Sequence, residues 1–523
     1  MVGLVEQMST FPINSRIKVN SDYGTVKFFG EIKGYSGLWV GVEWDDSRRG
    51  KHSGCVNEIQ YFETTCPNAG SMIRPVKSAP FDSLAGAIEK RYVLNIGNPL
   101  DENLMREAKE YVKASIFEFV GAEKIMKKQS HVEQLEDISV AYSNTQIAGD
   151  LMPFCNLVTV NLTATLIWNW RIVADIASQL PRLSYLNLSQ NRLVLPSDLD
   201  ISDLEPSFRH LKDINLSDCG LSSFKDILLT ARLFPWIESL SLQNNNIRAL
   251  VVADCDLVFK NLRNLDLHMN KLASFEEVLK LGHIQNLNVL LLMQNGLRRI
   301  QLPECEPTEY LDIFRNLQEI NLRGNPIENE IETFNELDKL QQLSVLNQTP
   351  DAKSGFENMF SRAVGLISNL KSLNKIDVNP GNRRDAEYDI WKEYGWEYLQ
   401  TSGSPTDRKR FMTKIRAYAR IVEKYGVPDE AIVRPAVKQS SVVTVNLLDP
   451  EANRLVSKRL PKKMVIQALQ GLVIKLFKSD TGNLPILSYV DAERQDVCVV
   501  LDNMSKTLDY YSIQDGDTVI IQW

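Results

Sequence analysis

The stretch LSYLNLSQNRL, from Leu183 to Leu193, decides the fold because its frame LxxLxLxxNxL returns along the middle third of the chain. Six clear copies begin at Leu183, Leu211, Ile237, Leu262, Leu287 and Leu317. The starting residues are separated by 28, 26, 25, 25 and 30 positions. Self-similarity at a period of about 20–50 residues indicates a stack of repeated structural units. The sequence therefore predicts a solenoid in the middle of the chain.

Each repeat is expected to contribute one short strand whose leucines point inward, with the asparagine of the frame turning the chain behind it. Frame and period are those of leucine-rich repeats, so this region is predicted to be an α/β solenoid. Fainter copies start at Leu157 and Leu135 and extend the array at its front. Cys219 replaces the turn asparagine in one copy. We interpret Cys219, and His268 in another copy, as structural residues rather than as a nucleophile or a ligand.

The variable strand positions of the repeats predict a concave face that is polar and mildly acidic. The contact residues that we expect on this face are Tyr185, Asp213, Asn264, Asp266 and Glu319. The sequence has no glycine-rich phosphate loop, no metal-ligand spacing and no Ser–His or Cys–His pair in a catalytic context. A curved polar surface of this kind suits a protein partner.

A second informative stretch, GKHSG from Gly50 to Gly54, belongs to a small domain that we place at residues 8–77. From Phe11 to Lys77, nine Lys/Arg oppose seven Asp/Glu, a local balance of +2 in a chain of net charge −7. Short β-type segments separated by glycines predict a small antiparallel barrel. GKHSG has two interpretations. It is either a tight turn between strands or a loop that offers N–H groups and a cation to an anion.

The order of glycines and aromatic residues in this domain resembles a CAP-Gly domain. The residues that carry the resemblance are Gly24-x-Val26, Gly30, Gly37-x-Trp39-Val40-Gly41-Val42-Glu43, Gly50–Gly54, Tyr61-Phe62 and Gly70. The resemblance implies that the loop binds the terminal carboxylate of the acidic-aromatic tails of α-tubulin and of end-binding proteins. The tail-binding residues that it implies are Phe28, Tyr35, Trp39, Gly50, Lys51, His52, Ser53 and Gly54.

The chemistry of such a ligand agrees with this assignment. A free carboxylate needs several converging donors, and a terminal aromatic side chain needs a flat apolar slot, which Phe28, Tyr35 and Trp39 are expected to line. The family's usual loop has an acidic residue at the position of Ser53 and often an asparagine at that of His52. Altered affinity, or a groove that has degenerated, is therefore the alternative.

Helical and basic segments flank the repeats. Residues 78–134 have helical periodicity and charged faces in part, which predicts a helical linker and the N-terminal cap of the array. Residues 135–400 are predicted to hold the repeats and a C-terminal cap. In residues 401–439 the apolar residues from Phe411 to Val422 predict one basic helix. This helix either grips an acidic partner or, as we favour, packs against the array with a solvated basic face.

The end of the chain predicts another unit, residues 440–523, with the order β-β-α-β-β-β of a β-grasp fold. Its last stretch, TLDYYSIQDGDTVIIQW, resembles the closing segment of ubiquitin-like domains. A conjugated modifier needs a flexible tail ending in glycines, whereas this sequence stops at Trp523. We therefore expect an integral docking module rather than a modifier.

Length and composition set the broad class. The 523 residues suffice for three or four domains, and 44% of them are hydrophobic and 24% charged. Without an 18-residue apolar run or a basic-then-apolar leader, we expect a soluble protein with no membrane partner. Seven scattered cysteines without a CxxC pair favour reduced thiols in the cytosol. The net charge of −7 argues against nucleic acid. We expect a monomer with no cofactor, no metal and no enzymatic activity.

The succession of barrel, leucine-rich repeats and ubiquitin-like unit resembles the tubulin-folding cofactor E family over nearly the whole chain. The resemblance implies an ATP-independent, cytoplasmic and cytoskeleton-associated chaperone that receives α-tubulin. It also implies joint action with cofactors C and D in assembling or dissociating the αβ heterodimer. Cofactor B or the proteasome is the implied ligand of the ubiquitin-like unit.

Two other classes of function remain as alternatives. A microtubule-associated CAP-Gly adaptor or scaffold without chaperone activity is the first, but such adaptors carry coiled coils or low-complexity linkers, and this sequence has neither. A ubiquitin-pathway enzyme is the second, because a deubiquitinase also carries CAP-Gly domains. The catalytic Cys and His boxes of that enzyme are absent from this sequence.

Overall fold

The computed structural model describes residues 11–78, 80–93, 134–251, 255–350, 355–433, 441–477, 484–490, 498–504 and 506–523. The chain divides into two compact units, Met1–Pro428 and Asp429–Trp523. Residues 8–10 of the predicted barrel lie outside the described residues, and so do residues 94–133 of the helical linker expected at 78–134.

A small β-barrel opens the first unit. Its strands are β1 (Arg16–Val19), β2 (Asp22–Ile32), β3 (Tyr35–Trp44), β4 (Cys55–Val56), β5 (Ile59–Gln60) and β6 (Gly70–Ile73). Strands β1, β2, β3 and β6 form an antiparallel sheet in that order, and β4 pairs with β5. Alternate residues of β2 and β3, among them Val26, Val40 and Val42, are fully buried in the barrel core. The alternation expected of strands with one buried face is thus present.

The barrel is held directly against the start of the repeats. It is followed by β7 (Asp82–Ser83), α1 (Leu84–Ile88) and a π-helical turn at Glu89–Val93. Strand β7 pairs in parallel with β9 (Thr145–Ile147). Three side chains add hydrogen bonds. Lys18 Nζ donates to the carbonyl of Tyr142 at 3.4 Å, and the Tyr23 hydroxyl donates to that of Ala164 at 3.4 Å. Gln146 Nε2 donates to the carbonyl of Arg16 at 3.3 Å in a buried position.

One short strand from each repeat enters a single eleven-stranded sheet. The strands are β8 (Asp137–Ser139), β10 (Thr159–Asn161), β11 (Tyr185–Asn187), β12 (Asp213–Asn215), β13 (Ser239–Ser241), β14 (Asn264–Asp266), β15 (Val289–Leu291), β16 (Glu319–Asn321), β17 (Val345–Asn347), β18 (Ser372–Leu373) and β19 (Ile376–Asp377). All neighbours are parallel except β18 and β19. The central residues of these strands, such as Leu186 and Leu290, are buried. Both fainter copies contribute strands, β8 and β10, and the predicted α/β leucine-rich-repeat class is confirmed.

Helices on the other side of the sheet complete the repeats. They are α2 (Trp170–Gln179), α3 (Asp198–Leu204), α4 (Phe224–Ala231), α5 (Cys255–Val258), α6 (Phe275–Leu279), α7 (Glu330–Leu337) and α8 (Gly355–Leu366). Several begin at a side chain that accepts a backbone N–H: Asn169, Ser197, Ser223, Ser274 and Asn329. These caps satisfy donors that the first helical turn leaves free.

The asparagines of the frame form a buried ladder between repeats. Asn245 Oδ1 accepts the backbone N–H groups of Cys219 and Leu221 at 2.9 and 3.1 Å, and its Nδ2 donates to the carbonyl of Leu216 at 2.9 Å. Cys219 occupies the same place with its thiol 3.3 Å from the carbonyl oxygen of Leu188. Burial raises the pKa of the Cys219 thiol to about 12. A thiol that remains protonated is a poor nucleophile, in keeping with a structural role.

The repeats are closed by α9 (Pro380–Gln400), α10 (Pro405–Lys414) and α11 (Tyr418–Tyr425). The prediction of one basic helix is wrong, because α10 ends at Lys414 and a separate helix, α11, begins at Tyr418. At the break Arg416 turns inward: its Nη1 donates to the carbonyl of Glu306 at 2.7 Å, and its Nε lies 3.4 Å from Asp338 Oδ2.

The basic face expected on this segment is exposed to solvent, since Lys409, Lys414 and Lys424 keep more than half of their side-chain surface accessible, and several of its cations pair with acids of the same chain. The ion pairs are Lys409–Glu306, Lys414–Glu397, Arg420–Asp338 and Lys424–Glu387. Packing against the array is confirmed, since Phe411, Ile415 and Tyr418 are buried.

The second unit has the β-grasp order expected from the sequence. Its elements are α12 (Glu430–Val433), β20 (Val442–Asp449), β21 (Arg454–Pro461), α13 (Ile466–Phe477), β22 (Ile486–Val490), β23 (Cys498–Val500) and β24 (Thr518–Gln522). The sheet order is β21-β20-β24-β22-β23, with β20 and β24 parallel. Leu447, Leu469 and Val519 are buried between the sheet and α13.

Candidate functional sites: a groove on the barrel and a face on the repeats

An aromatic slot lies on one face of the β2–β3 ladder. Phe28 and Tyr61 meet edge to face with ring centroids 5.2 Å apart, and Tyr35 and Trp39 do so at 5.8 Å. The guanidinium of Arg74 lies over the Trp39 ring, 3.9 Å from its centroid. The three residues named from the sequence thus lie in two aromatic pairs on this ladder, Phe28 with Tyr61 and Tyr35 with Trp39.

Two glycines let aromatic rings approach the sheet. A Cβ on Gly41 would lie 2.6 and 2.7 Å from ring atoms of Phe62 and 2.8 Å from the Cβ of Phe28, and a Cβ on Gly30 would lie 3.1 Å from the tip of Phe28. Gly30 is also the register partner of Trp39. Because Gly30 and Gly41 have no Cβ, there is room for the Phe28 ring beside Trp39 and for the Phe62 ring against the same face.

The GKHSG loop is hydrogen-bonded to the segment around Asn68 and Gly70 and is not an unsupported hairpin tip. The N–H groups of Lys51 and His52 both donate to the carbonyl of Gly70, at 2.7 and 3.1 Å, and the N–H of Gly70 returns a bond to His52 O at 2.8 Å. The Ser53 hydroxyl accepts the N–H of Asn68 at 2.9 Å. Two of the backbone donors expected for an anion are thus used within the barrel, while the Lys51 side chain is exposed.

His52 is held as a neutral imidazole. Its Nδ1 accepts the N–H of Gly54 at 3.0 Å, so the ring proton of the neutral form resides on Nε2. Burial, followed by the neighbouring charge of Lys51, lowers the pKa of His52 below its ordinary value. The ring centroid lies 6.0 Å from that of Phe62. The loop therefore carries an imidazole close to Phe62, together with an exposed hydroxyl at Ser53 and an exposed ammonium at Lys51.

Sequence reasoning did not assign Arg74, Tyr61 or Phe62 to the site. Tyr61 and Phe62 were visible as part of the family pattern, but nothing local indicates that Arg74 stacks on Trp39. Its Nη1 also donates to the carbonyl of Ser36 at 2.6 Å. This contact fixes the turn that carries Tyr35.

The expected contact residues of the repeats occupy two neighbouring rows of the sheet. The strand register aligns Tyr185, Asp213, Ser239, Asn264, Val289 and Glu319 in one row. Asp266 lies in the next row, between Ser241 and Leu291. The five residues named from the sequence therefore share one face.

The carboxylates on this face have different surroundings. Burial raises the pKa of Asp213 above its ordinary value, against the effect of a hydrogen bond from Ser239. Asp266 Oδ1 lies 3.0 Å from His268 Nδ1, and Glu319 Oε1 accepts Asn347 Nδ2 at 3.2 Å. The contact with Asp266 gives His268 a partner within the repeat, which agrees with our interpretation of His268 as a structural residue.

Within the described ranges no group of three or more His, Cys, Asp or Glu side chains is arranged to hold a metal ion. Among the helices of the same ranges, none combines the length and apolar character needed to cross a bilayer.

Comparisons with known proteins give relatives along the whole chain. Residues 13–78 match the family model of the CAP-Gly domain. The chain is similar to the tubulin-specific chaperone E of Drosophila melanogaster, with 47% identity over 524 residues and 100% of both chains covered. The Mus musculus protein of that name is 32% identical over 527 residues, with 98% of both covered. A solution structure of the C-terminal ubiquitin-like domain of mouse tubulin-specific chaperone e is similar to 17% of this chain and 94% of its own, at 25% identity and a TM-score of 0.15.

Proposed function

The chain belongs to the tubulin-specific chaperone E family, and from this premise we propose that it is a tubulin-folding cofactor with two contacts to α-tubulin. The barrel binds the C-terminal tail of α-tubulin, and the concave repeat face binds its folded body. Through these contacts it promotes assembly or dissociation of the αβ heterodimer together with other tubulin cofactors.

The observation that carries the proposal is the polar loop joined through Phe62 to the aromatic face: the His52 ring lies 6.0 Å from that of Phe62, and Phe62 packs over Gly41 beside Phe28. A tail ending in an aromatic residue with a free carboxylate needs a cation and N–H or O–H donors next to a flat apolar surface. Lys51, His52 and Ser53 supply the polar groups, and Phe28 and Trp39 supply the surface. The serine at position 53 supports the assignment rather than opposing it, because it satisfies Asn68 without placing a negative charge beside Lys51.

The second contact is supported by the fixed position of the barrel. Strand pairing of β7 with β9 and the buried bond from Gln146 to Arg16 join the barrel to the first repeats within one compact unit. A tail held by the barrel makes contact of the tubulin body with the repeats intramolecular. Such linkage raises avidity by about 10²–10⁴ when the geometry allows both contacts.

The other proposed partners follow from family membership. We place cofactors C and D with α-tubulin in the heterodimer reaction, and cofactor B or the proteasome at the ubiquitin-like unit. The proposed location is the cytoplasm, in association with the cytoskeleton. The proposed reaction is binding and exchange of subunits, with no covalent chemistry.

The proposal is tested by mixing the purified chain with αβ-tubulin and separating the products by size exclusion. We expect the chain to leave with α-tubulin. The K51M variant should reduce this complex, and Asp213→Lys with Asp266→Lys should block heterodimer separation while tail-peptide binding persists. The matched control is Asp213→Asn with Asp266→Asn, because asparagine already occupies the same rows at Asn264 and Asn215.

Two outcomes would contradict the proposal. If the chain co-sediments with microtubules yet never alters the heterodimer, it is an adaptor or scaffold without chaperone activity. If charge reversal on the repeats leaves heterodimer separation unchanged, the concave face is only a spacer.

A further inference from the structure

Among the central strands β11–β16, one repeat places partly exposed apolar side chains at both outward positions of its strand. At the first and third positions of the other central strands the pairs are Tyr185/Asn187, Asp213/Asn215, Ser239/Ser241, Asn264/Asp266 and Glu319/Asn321. In β15 these positions hold Val289 and Leu291, both partly exposed. Met293 follows two residues further on, and the N–H of Met269 in the preceding repeat donates to the carbonyl of Met293 at 2.9 Å. We call Met269, Val289, Leu291 and Met293 the apolar island.

The packing of the repeats does not require this island. The inward residue of β15 is Leu290, which is fully buried, whereas Val289 and Leu291 point to the opposite face. Any side chain compatible with a strand would satisfy those two positions. Exposed apolar side chains that cluster, instead of being scattered singly, mark interaction surfaces.

Met269 strengthens this argument because its backbone is left-handed, with φ of 55°. The equivalent turn positions of other repeats have the same conformation and carry polar residues: Gln190, Asp218, Asn244 and Gln294. Left-handed backbone favours asparagine, aspartate and glycine over other side chains. A methionine there gains little burial in return, since it remains 43% exposed. Its neighbour is the Gln243 side chain, whose Nε2 lies 3.8 Å from the sulfur.

The surroundings of the island are acidic. Leu291 pairs with Asp266 on one side and Asn321 on the other, and Val289 pairs with Asn264 and Glu319. Of the charged residues at the described positions just named, Asp266 and Glu319 are acidic, and Arg323, two residues after Asn321, is basic. An apolar side chain that binds here therefore meets a net negative rim. Lysine or arginine beside that side chain complements the rim, whereas aspartate or glutamate is repelled.

We propose that the apolar island is the anchor of the repeat face, and that it receives an apolar side chain flanked by basic residues on the folded body of α-tubulin. The inference rests on the proposed function and assigns the position within that surface where the partner is desolvated. A buried apolar anchor surrounded by polar contacts carries most of the affinity of a protein interface. Methionine suits such a place because its flexible side chain adapts to the partner.

The test replaces the island with residues that the same fold already uses. Val289→Ser with Leu291→Asn gives β15 the side chains found at Ser239 and Asn215 in the corresponding positions. The matched control, Ser239→Thr with Ser241→Thr, changes the same two positions two strands away and retains the hydroxyl that hydrogen-bonds Asp213. Affinity for αβ-tubulin is measured with the full chain, and so is affinity for a peptide ending in the α-tubulin tail. Thermal unfolding and circular dichroism check the fold.

We expect the island variant to bind αβ-tubulin at least tenfold more weakly, with peptide affinity and unfolding unchanged and the control within twofold of the original chain. Unchanged tubulin affinity in the island variant would overturn the inference. If Asp213→Lys with Asp266→Lys weakens tubulin binding while the island variant does not, only the anchor is wrong. If neither does, the concave face is not the tubulin surface, and the proposed function fails with it.

A second pair of variants tests the chemistry of the occupant. Leu291→Lys and Leu291→Glu both remove the apolar contact and both place a charge on the island. With basic residues flanking the bound side chain, the lysine variant should lose more affinity than the glutamate variant, and the difference should shrink as salt screens it. The opposite order would refute basic flanks.

Discussion

Replacing Lys51 by methionine tests the carboxylate site at its strongest point. The N–H groups of Lys51 and His52 already donate to the carbonyl of Gly70, at 2.7 and 3.1 Å. The ammonium of Lys51 is therefore the principal charge that the loop offers to a carboxylate. Methionine retains most of the apolar stem, so K51M removes charge with little change in packing.

The magnitude follows from the exposure of Lys51. Two unit charges 4 Å apart attract by about 1 kcal/mol in bulk water and by about 4 kcal/mol at an effective dielectric constant near 20. Lys51 is exposed, which places its interaction between these limits. Hydrogen bonds to charged groups contribute about 1.5–3 kcal/mol. K51M should therefore weaken tail-peptide binding by about 1.5–3 kcal/mol, or roughly 10- to 150-fold in Kd.

The assay is a double-mutant cycle read by calorimetry or fluorescence anisotropy. The original chain and K51M are each titrated with a peptide ending in the α-tubulin tail, as free acid and as C-terminal amide. For the original chain, amidation of the peptide should reduce the binding free energy about as much as K51M does. For K51M, amidation should reduce the binding free energy little further. Lys77→Met removes an exposed lysine elsewhere on the barrel and should leave every affinity unchanged. If the two losses simply add, with a coupling energy below about 0.3 kcal/mol, Lys51 does not bind the carboxylate.

Three further outcomes are expected. Because the pKa of His52 is lowered, its contribution to the free energy of unfolding is complete above about pH 6.5 and is lost as pH falls through the folded pKa. NMR titration of the His52 ring should give a midpoint below about 6.5. An unshifted midpoint would contradict the buried neutral ring. Asn245→Ala leaves two N–H donors and one carbonyl without their side-chain partner. The free energy of unfolding, measured with denaturant, should therefore fall by roughly 3–5 kcal/mol. A fall of less than about 1 kcal/mol would show that water replaces the bonds of the asparagine ladder. Gln146→Ala with Tyr23→Phe removes two bonds between barrel and repeats; tail-peptide affinity should remain while capture of αβ-tubulin weakens, and equal capture would show that the barrel need not be fixed.

The repeats were predictable because their information is local and recurrent. Each frame specifies its own inward residues, and Leu186 and Leu290 are buried as the frame requires. Parallel neighbours then follow from stacking alone. The barrel was predictable for a different reason. Glycines such as Gly41 stand where rings leave no room for a Cβ, so their order along the chain reflects the packing itself.

The features that the sequence did not reveal depend on partners far along the chain. At the break between α10 and α11, Asn335 Nδ2 donates to the carbonyl of Thr413 and Asn335 Oδ1 accepts the N–H of Arg416, while Arg416 Nε lies 3.4 Å from Asp338. These partners lie far away along the chain, and no local signal indicates the pairing. The apolar residues from Phe411 to Val422 therefore keep a helical spacing in the sequence although the helix ends at Lys414. The bond from Lys51 N to Gly70 O is of the same kind. It changes the expected donor set of the loop, because amides that appear available in the sequence are already occupied.

The attachment of the barrel to the repeats determines which part of the proposed complex is flexible. Strand β7 joins β9 of the first repeats only a few residues after the barrel, within the segment that the sequence predicts to be a helical linker. The effective concentration of the tubulin body at the repeats then depends on the reach of the tail of tubulin, not on a linker in this chain. Changes that loosen the barrel, such as loss of the Gln146 bond, enlarge the volume that the tethered partner explores. Capture therefore weakens although neither binding surface has been altered.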